Sequence, residues 1–303
     1  MARSPIPRIR TAAILVLVLV SALVTLLVSC PPAGPMAPGQ PSTPAPQAPP
    51  TPPTSSPVPP PVPVRPPDAR VLQPPAAPPQ RPRPEGRLAI IIDDAGYSLE
   101  ELDAFLALPG PLTISVLPNL PHSSEAARRI LAAGKDLLLH EPMEPEGGED
   151  PGPRAIRTGQ TPQEITNLLE QAFTSVPAPG MNNHMGSKAT ADPAVMLAVM
   201  AYLKREGKFF VDSRTTADTV GPAEAGAEGV PFLQRDVFID AGRSQEEIAQ
   251  AFDKGVSEAK LRGSSILIGH VQDRGVLAIL REREGNLSAA GVRLVHLREL
   301  LGQ

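Results

Sequence analysis

The amino-acid sequence predicts an α/β fold in which parallel strands wrapped by helices form a closed or nearly closed barrel. From Leu88 to the end of the 303-residue chain, short apolar runs alternate with helical patterns, which is typical of a parallel sheet covered by helices. Strand and helix repeat about seven times, and that number favours a barrel over an open sheet. In either arrangement, we expect functional residues where the strands end.

Eight short apolar runs in this region are candidate strands, six of them clear and two weaker. The clear candidates lie at 88–92, 112–116, 136–139, 208–211, 265–268 and 292–295, and the weaker ones at 178–181 and 230–233. Each run has four or five residues, an ordinary strand length. Because helical patterns separate the runs, we expect the strands to pair in parallel.

Several helices have recognisable boundaries in the sequence. The segments 161–164 and 244–247 match the capping box, in which a hydroxyl and a carboxylate three residues later bond backbone N–H groups reciprocally. Asp192 precedes Pro193, which predicts an N-cap followed by proline at the first helical position. Gly207 is then expected just after the end of that helix.

The first 30 residues have the order of a signal sequence. Arg3, Arg8 and Arg10 precede an apolar run over 12–28, which is followed by Cys30, the only cysteine of the chain. This arrangement resembles the lipobox of bacterial lipoproteins, in which the cysteine receives lipid. An uncleaved anchor is the alternative, because the run is near the lower length limit for a membrane span. Both predict an exported, membrane-tethered protein facing the periplasm or the cell exterior.

Composition divides the chain into this segment (1–30), a proline-rich linker (31–86) and one globular domain (87–303). The linker holds 24 of the 40 prolines and no aromatic residue, so it is expected to be disordered. The domain holds 21 basic and 30 acidic residues, a net charge of −9. Nucleic acid is excluded as a partner on this ground, because phosphate contacts require a basic face.

Polar side chains follow five of the predicted strands. They are Asp93 and Asp94, His140 and Glu144, His184, Asp212 and Arg214, and His270. Two or three carboxylates and two or three imidazoles at one barrel mouth are typical of a divalent metal site, with zinc the leading candidate. Such a metal activates water and polarises a carbonyl, which is the chemistry of amide and ester hydrolysis.

The other two histidines are expected to lie outside this site, and two other types of site share part of its pattern. His122 is expected to start a helix, and His296 is expected to be structural. The Asp93-Asp94 pair alone would also suit a phosphotransfer receiver or a haloacid-dehalogenase-type phosphatase. His140 stands where a receiver needs its acceptor Asp, and Ala95 stands where the phosphatase needs a second Asp, so both are disfavoured.

Five motifs in order resemble the divergent branch of the polysaccharide deacetylase family. They are Ile-Ile-Asp-Asp-Ala-Gly, Leu-His-Glu-Pro-Met-Glu, Asn-Asn-His-Met-Gly-Ser, Phe-Phe-Val-Asp-Ser-Arg-Thr and Ile-Gly-His. The resemblance covers essentially all of 87–303 and implies a distorted β/α barrel of NodB type. By resemblance, Asp93 is the catalytic base, Asp94 a metal ligand and His270 the general acid.

The resemblance also implies the remaining roles at the site. His140 matches a metal-binding histidine, and Glu144 stands where the main family has its second one. Glu144 or His184 is therefore expected to complete the ligand set. The main family's Arg-Pro-Tyr motif is replaced here by 182–186, so its backbone N–H groups, or Asn183 and Arg214, are expected to stabilise an oxyanion. Asp212 is placed with them as a substrate contact.

The function expected from these residues is metal-dependent deacetylation of a cell-envelope glycan, either peptidoglycan or another acetylated polysaccharide. A second hypothesis is a non-catalytic envelope module of the same fold that binds glycan or a protein partner. A metal-dependent hydrolase of another bond is the third.

Overall fold

The computed structural model describes residues 86–240 and 244–301. The expected signal segment, Cys30 and residues 31–85 of the expected linker lie outside these residues, whereas Gly86, predicted as the last linker residue, begins the first strand. Among the helices in the described part of the chain, none is both long enough and apolar enough to cross a membrane.

The fold is built on a parallel sheet of nine strands within the described residues. Their bounds are β1 Gly86–Ala95, β2 Thr113–Val116, β3 Asp136–Met143, β4 Gly180–Met185, β5 Phe209–Asp212, β6 Phe232–Gln234, β7 Val237–Phe238, β8 Ser264–His270 and β9 Val292–Leu294. All eight predicted strands are present. The sequence did not predict β7, which has two residues.

The strand order is β6-β5-β4-β3-β2-β1-β8-β7, with β9 beside the first residues of β1. The two strands that end this path, β6 and β7, are consecutive in the chain. Between them, the Arg235 guanidinium donates hydrogen bonds to the carbonyl oxygens of Ser213 (2.6 Å) and Arg214 (2.7 Å) and lies over the Phe238 ring. The predicted distorted β/α barrel is confirmed as a curled parallel sheet.

Seven α-helices within the described residues cover the outside of this sheet. They are α1 Leu99–Leu106, α2 Ser123–Ala132, α3 Pro162–Ser175, α4 Pro193–Arg205, α5 Gly221–Glu228, α6 Gln245–Arg262 and α7 Arg274–Arg283. Their apolar faces pack on alternate residues of the strands, such as Ile90 and Ile92 of β1. The intervening residues, such as Ala89 and Ile91, form a second, smaller cluster on the inner face.

The predicted helix boundaries are confirmed. Thr161 and Ser244 form capping boxes, and the Asp192 carboxylate accepts hydrogen bonds from the first turn of α4. Each such cap stabilises the fold by about 1 kcal/mol. His122 is the N-cap residue of α2, as expected, and His296 contacts Asp136 near the opposite end of the barrel from the candidate site.

Candidate active site

The end of β1 brings two consecutive carboxylates to the same barrel mouth. Asp93 continues the inner face set by Ala89 and Ile91 and is 1 % exposed. In a regular strand the next side chain would point to the opposite face. Here Asp94 has a left-handed backbone (φ 66°), and the pairing of β1 with β2 shifts between Ile92 and Ala95. This irregularity lets the Asp94 carboxylate also reach the mouth.

Three side-chain atoms converge there from β1, β3 and β4. Asp94 Oδ1 lies 3.2 Å from His140 Nε2 and 3.0 Å from His184 Nδ1, and the two nitrogens lie 3.2 Å apart. Among the residues in the described ranges, this trio is the group whose ligand atoms could hold a metal ion. We refer to Asp94, His140 and His184 as the ligand triad.

The spacing of the triad fits a divalent cation. Zinc bonds of about 2.0–2.2 Å in a tetrahedron place neighbouring ligand atoms about 3.3–3.6 Å apart. Octahedral bonds of about 2.1 Å place them about 3.0 Å apart. The observed distances of 3.0–3.2 Å lie close to the octahedral value and slightly below the tetrahedral range. Asp94 Oδ1 is also buried without a well-oriented hydrogen bond from the described residues, as expected of an oxygen aimed at a cation.

The pKa values within the triad reflect burial among opposite charges. Burial raises the pKa of Asp94, but the close imidazoles of His140 and His184 outweigh it and hold the pKa well below its usual range. For His140, burial lowers the pKa, but Asp93 and Asp94 outweigh it and raise the pKa. Asp94 is therefore held in the charged form that binds metal, and a metal would compete with a proton for His140.

Asp93 is set apart from the triad. Its Oδ2 lies 3.7 Å from His140 Nε2, and its Oδ1 accepts a hydrogen bond from Asn182 Nδ2 (2.9 Å). Burial raises the pKa of Asp93, against the lowering effect of His140 and His270. A buried carboxylate with a raised pKa beside a metal position is suited to accept a proton.

His270 ends β8 on the same face and is held by a carboxylate that follows β7. Asp240 accepts hydrogen bonds from the His270 backbone N–H (2.7 Å) and from Nδ1 (3.0 Å). The imidazole also stacks on Phe238, with ring centroids 5.7 Å apart. Burial lowers the pKa of His270, but Asp240, helped by Asp93 and Asp94, outweighs it and raises the pKa to about 9. His270 is therefore a cationic donor at neutral pH.

The structure does not bring Glu144 to the triad. Its Oε1 accepts a hydrogen bond from Lys188 Nζ (2.8 Å), and its Oε2 accepts from the backbone N–H and the hydroxyl of Thr158. Lys188 and Thr158 lower the pKa of Glu144 to about 2. β3 ends at Met143, and the chain then pairs with Ile156, so Glu144 faces the loop before α3. Of the two alternatives for the third ligand, the geometry favours His184.

Each of the three residues expected to contact substrate or an oxyanion has side-chain hydrogen bonds to residues outside the triad. Asn183 lies on the face of β4 opposite the triad, and its side chain bonds the backbone of Ser213 and Met185. Asp212 accepts hydrogen bonds from the Arg214 backbone N–H and the Thr219 hydroxyl. The Arg214 guanidinium donates to Gln234 at the edge strand β6. These contacts connect β4 and β6 with the residues that follow β5, and none of them involves a residue of the triad.

The sequence did not predict a role for four side chains that contact the candidate site residues or their hydrogen-bond partners, namely those of Asn182, Asp240, Ser115 and Gln272. Gln272 Nε2 donates to Asp94 Oδ2 (2.9 Å), and Ser115 Oγ donates to Asn182 Oδ1. The alternation of β4 could have identified Asn182, because residues two apart share a face and His184 was already a candidate. For Asp240 the sequence held no comparable signal, because it follows a strand of two residues.

Comparison with known proteins gives a consistent set of relatives. A family described as divergent polysaccharide deacetylase matches residues 90–301. The chain is 34% identical over 219 residues to YibQ, an uncharacterized protein of Escherichia coli, covering 72% of this chain and 68% of YibQ. An uncharacterized protein of Haemophilus influenzae is 33% identical over 210 residues, or 67% of this chain and 72% of that protein.

A solved structure extends the comparison to the fold. The crystal structure of the uncharacterized protein ATU2773 from Agrobacterium tumefaciens matches with a TM-score of 0.68 at 21% identity. The match covers 71% of this chain and 89% of that one. At this identity the similarity establishes a shared fold.

Proposed function

This chain belongs to the divergent polysaccharide deacetylase family, and from that premise we propose that it removes acetyl groups from a cell-envelope glycan with a divalent metal, zinc being the first candidate. One observation carries the proposal. The triad of Asp94, His140 and His184 has the spacing of metal ligands, and Asp93 and His270 share its barrel mouth. A ligand set, a base and an acid are the groups that metal-assisted acyl hydrolysis requires.

Each of these five side chains has a separate role in the proposed reaction. Asp94, His140 and His184 would hold the cation, which when bound polarises an acetyl carbonyl and makes a water molecule more acidic. Asp93 accepts the proton that this water loses as its oxygen forms a bond to the acetyl carbon. His270 donates its Nε2 proton to the sugar nitrogen or oxygen as the bond to the acetyl carbon breaks, giving acetate and the free amine or hydroxyl.

The direct test uses the purified full-length protein and a panel of acetylated glycans. Acetate release would be measured from acetylated chitooligosaccharides, from peptidoglycan and from O-acetylated polysaccharide, with Asp93→Asn as the blank. We expect release from at least one substrate and none above background from the blank. A protein that binds metal and glycan but releases no acetate from any member would instead be the non-catalytic envelope module.

The alkaline limit of activity should depend on Asp240. In the wild type, His270 loses its proton as pH rises through about 9, so acetate release should fall above that pH. Asp240→Asn removes the carboxylate charge that raises the His270 pKa. The limit should therefore move down toward the ordinary histidine value of 6.5, as measured by a pH profile of kcat/KM, which reports the pKa of the acid in the free enzyme. If the alkaline limit of Asp240→Asn equalled that of the wild type, His270 would not be the general acid.

We further propose that the protein is exported and held at a membrane through its N-terminus, with lipid on Cys30. The order of arginines, apolar run and cysteine supports this proposal. In cells fed radiolabelled palmitate, the wild type should carry label in the membrane fraction and Cys30→Ser should not. A labelled Cys30→Ser protein would contradict lipid attachment at this residue, and an unlabelled wild type in the membrane fraction would favour the uncleaved anchor.

A further inference from the structure

We propose that Asn182 is a positioning residue that holds the base Asp93 and the ligand His140 through one side-chain amide. The inference rests on the proposed function, because it assigns Asn182 a task toward the same metal site. Asn182 is fully buried in β4, two residues before His184, and the sequence predicted a role for its backbone N–H but none for its side chain.

The amide makes four contacts, two at each end. Its Nδ2 lies 2.9 Å from Asp93 Oδ1 and 3.3 Å from Ser213 Oγ. Its Oδ1 accepts a hydrogen bond from Ser115 Oγ and lies 2.8 Å from His140 Nδ1. An asparagine amide has two donors and two acceptor positions, so every bonding position of Asn182 is used.

The direction of the amide follows from a group outside the metal site. The single hydroxyl proton of Ser213 is donated to the Asn183 carbonyl oxygen (2.9 Å). Ser213 Oγ can therefore only accept from Asn182, which assigns the NH₂ group to this end. The same NH₂ group faces Asp93, where an ionised carboxylate also requires a donor. The amide oxygen consequently faces His140.

This direction determines which nitrogen of His140 carries a proton in the neutral ring. Asn182 Oδ1 is an acceptor, so His140 Nδ1 must donate to it. The lone pair of the neutral ring then lies on Nε2, the atom that faces Asp94 and His184. Metal-binding histidines are commonly held in this way by an acceptor at their other nitrogen, and loss of that acceptor typically costs 10–100-fold in metal affinity or activity.

Substitutions of Asn182 can distinguish the role of its amide oxygen from the role of its amide nitrogen. Asn182→Asp keeps an oxygen that accepts from His140 Nδ1, but it replaces the donor to Asp93 with a second carboxylate. Asn182→Leu has a similar volume and removes both interactions. Thr190→Val serves as the matched control, because Thr190 is also fully buried and donates one hydrogen bond to Gly186 O (2.8 Å), close to His184 but without touching Asp93 or His140.

The test measures Zn²⁺ and Co²⁺ dissociation constants by competition with a chelator on the full-length protein, together with acetate release. Asn182→Leu should bind metal about 10–100-fold more weakly than the wild type. Asn182→Asp and Thr190→Val should stay within about threefold of wild-type affinity, because His140 keeps its acceptor. Acetate release by Asn182→Asp should fall by at least about tenfold despite the bound metal, because Asp93 loses its donor.

Each outcome decides the inference. It is overturned if Asn182→Leu binds metal like the wild type, if Thr190→Val weakens metal binding equally, or if Asn182→Asp retains full acetate release. If Asn182→Leu does not fold, Asn182→Asp still tests the inference, because it should keep metal binding and lose acetate release. Substitution of a purely structural residue would impair both properties or neither. A wild type that binds no metal would overturn the proposed function as well, whereas unaffected variants of a metal-binding wild type overturn this inference alone.

Discussion

Asp93→Asn is expected to lower kcat for acetate release by about 10²–10⁴-fold, the usual contribution of a positioned base. The substitution removes the group that accepts the proton of the attacking water. It should leave the ligand triad intact, because Asp93 Oδ2 lies 3.7 Å from His140 Nε2 and Asp94 Oδ1 lies closer to that nitrogen. The new amide can turn its oxygen toward Asn182 Nδ2 and keep that hydrogen bond. The measurement is kcat together with bound metal per protein.

Asp253→Asn is the matched control for this experiment. Asp253 lies on the exposed side of α6, where it contacts Arg283 at 3.6 Å. The same change from carboxylate to amide there should alter neither kcat nor metal content. If Asp93→Asn kept kcat within about threefold of the wild type, Asp93 would not be the base.

His184→Ala is expected to weaken zinc affinity by more than about 100-fold, beyond the usual effect of changing a residue that only supports a ligand. It removes one of three ligand atoms and leaves Asp94 and His140 with a gap that water must fill. Acetate release at limiting zinc should fall in parallel. Zinc affinity is measured by competition with a chelator, and excess zinc should restore part of the activity.

For Glu144→Gln we expect no loss of zinc affinity, the opposite of the result for His184→Ala. This variant therefore tests the alternative ligand directly. Glu144 is bound by Lys188 and Thr158, so its substitution should leave zinc affinity within about threefold of the wild type. The ion pair with half-exposed Lys188 should contribute at most about 1 kcal/mol to the free energy of unfolding. If Glu144→Gln lost zinc and His184→Ala kept it, Glu144 would be the third ligand in place of His184.

The fold could be predicted because its signals are local. Apolar runs of four or five residues, capping boxes and a proline after Asp192 each specify a strand or a helix boundary without reference to the rest of the chain. The strand ends then identified Asp93, Asp94, His140, His184 and His270, because parallel strands bring these ends to one mouth. The nine-strand sheet positions all five there.

The remaining parts of the site depend on details that a local pattern does not contain. The motif predicts a side-chain role for Asn183, whereas the side chain of Asn182 faces the triad, because in a strand a difference of one residue exchanges the inner face for the outer face. Glu144 would follow His140 on the same face only if β3 continued, but the strand ends at Met143. Asp94 reaches the mouth through a left-handed backbone, which an aspartate adopts more readily than most residues but which the sequence does not require.

The most direct test of the metal-dependent mechanism is a titration of the metal-stripped, full-length protein with zinc while acetate release is followed. One metal held by Asp94, His140 and His184 should make the rate rise in proportion to added zinc and level off at about one equivalent per protein. Removal of the zinc by a chelator should abolish release again. A rate that is the same before and after the metal is removed would contradict the proposed mechanism.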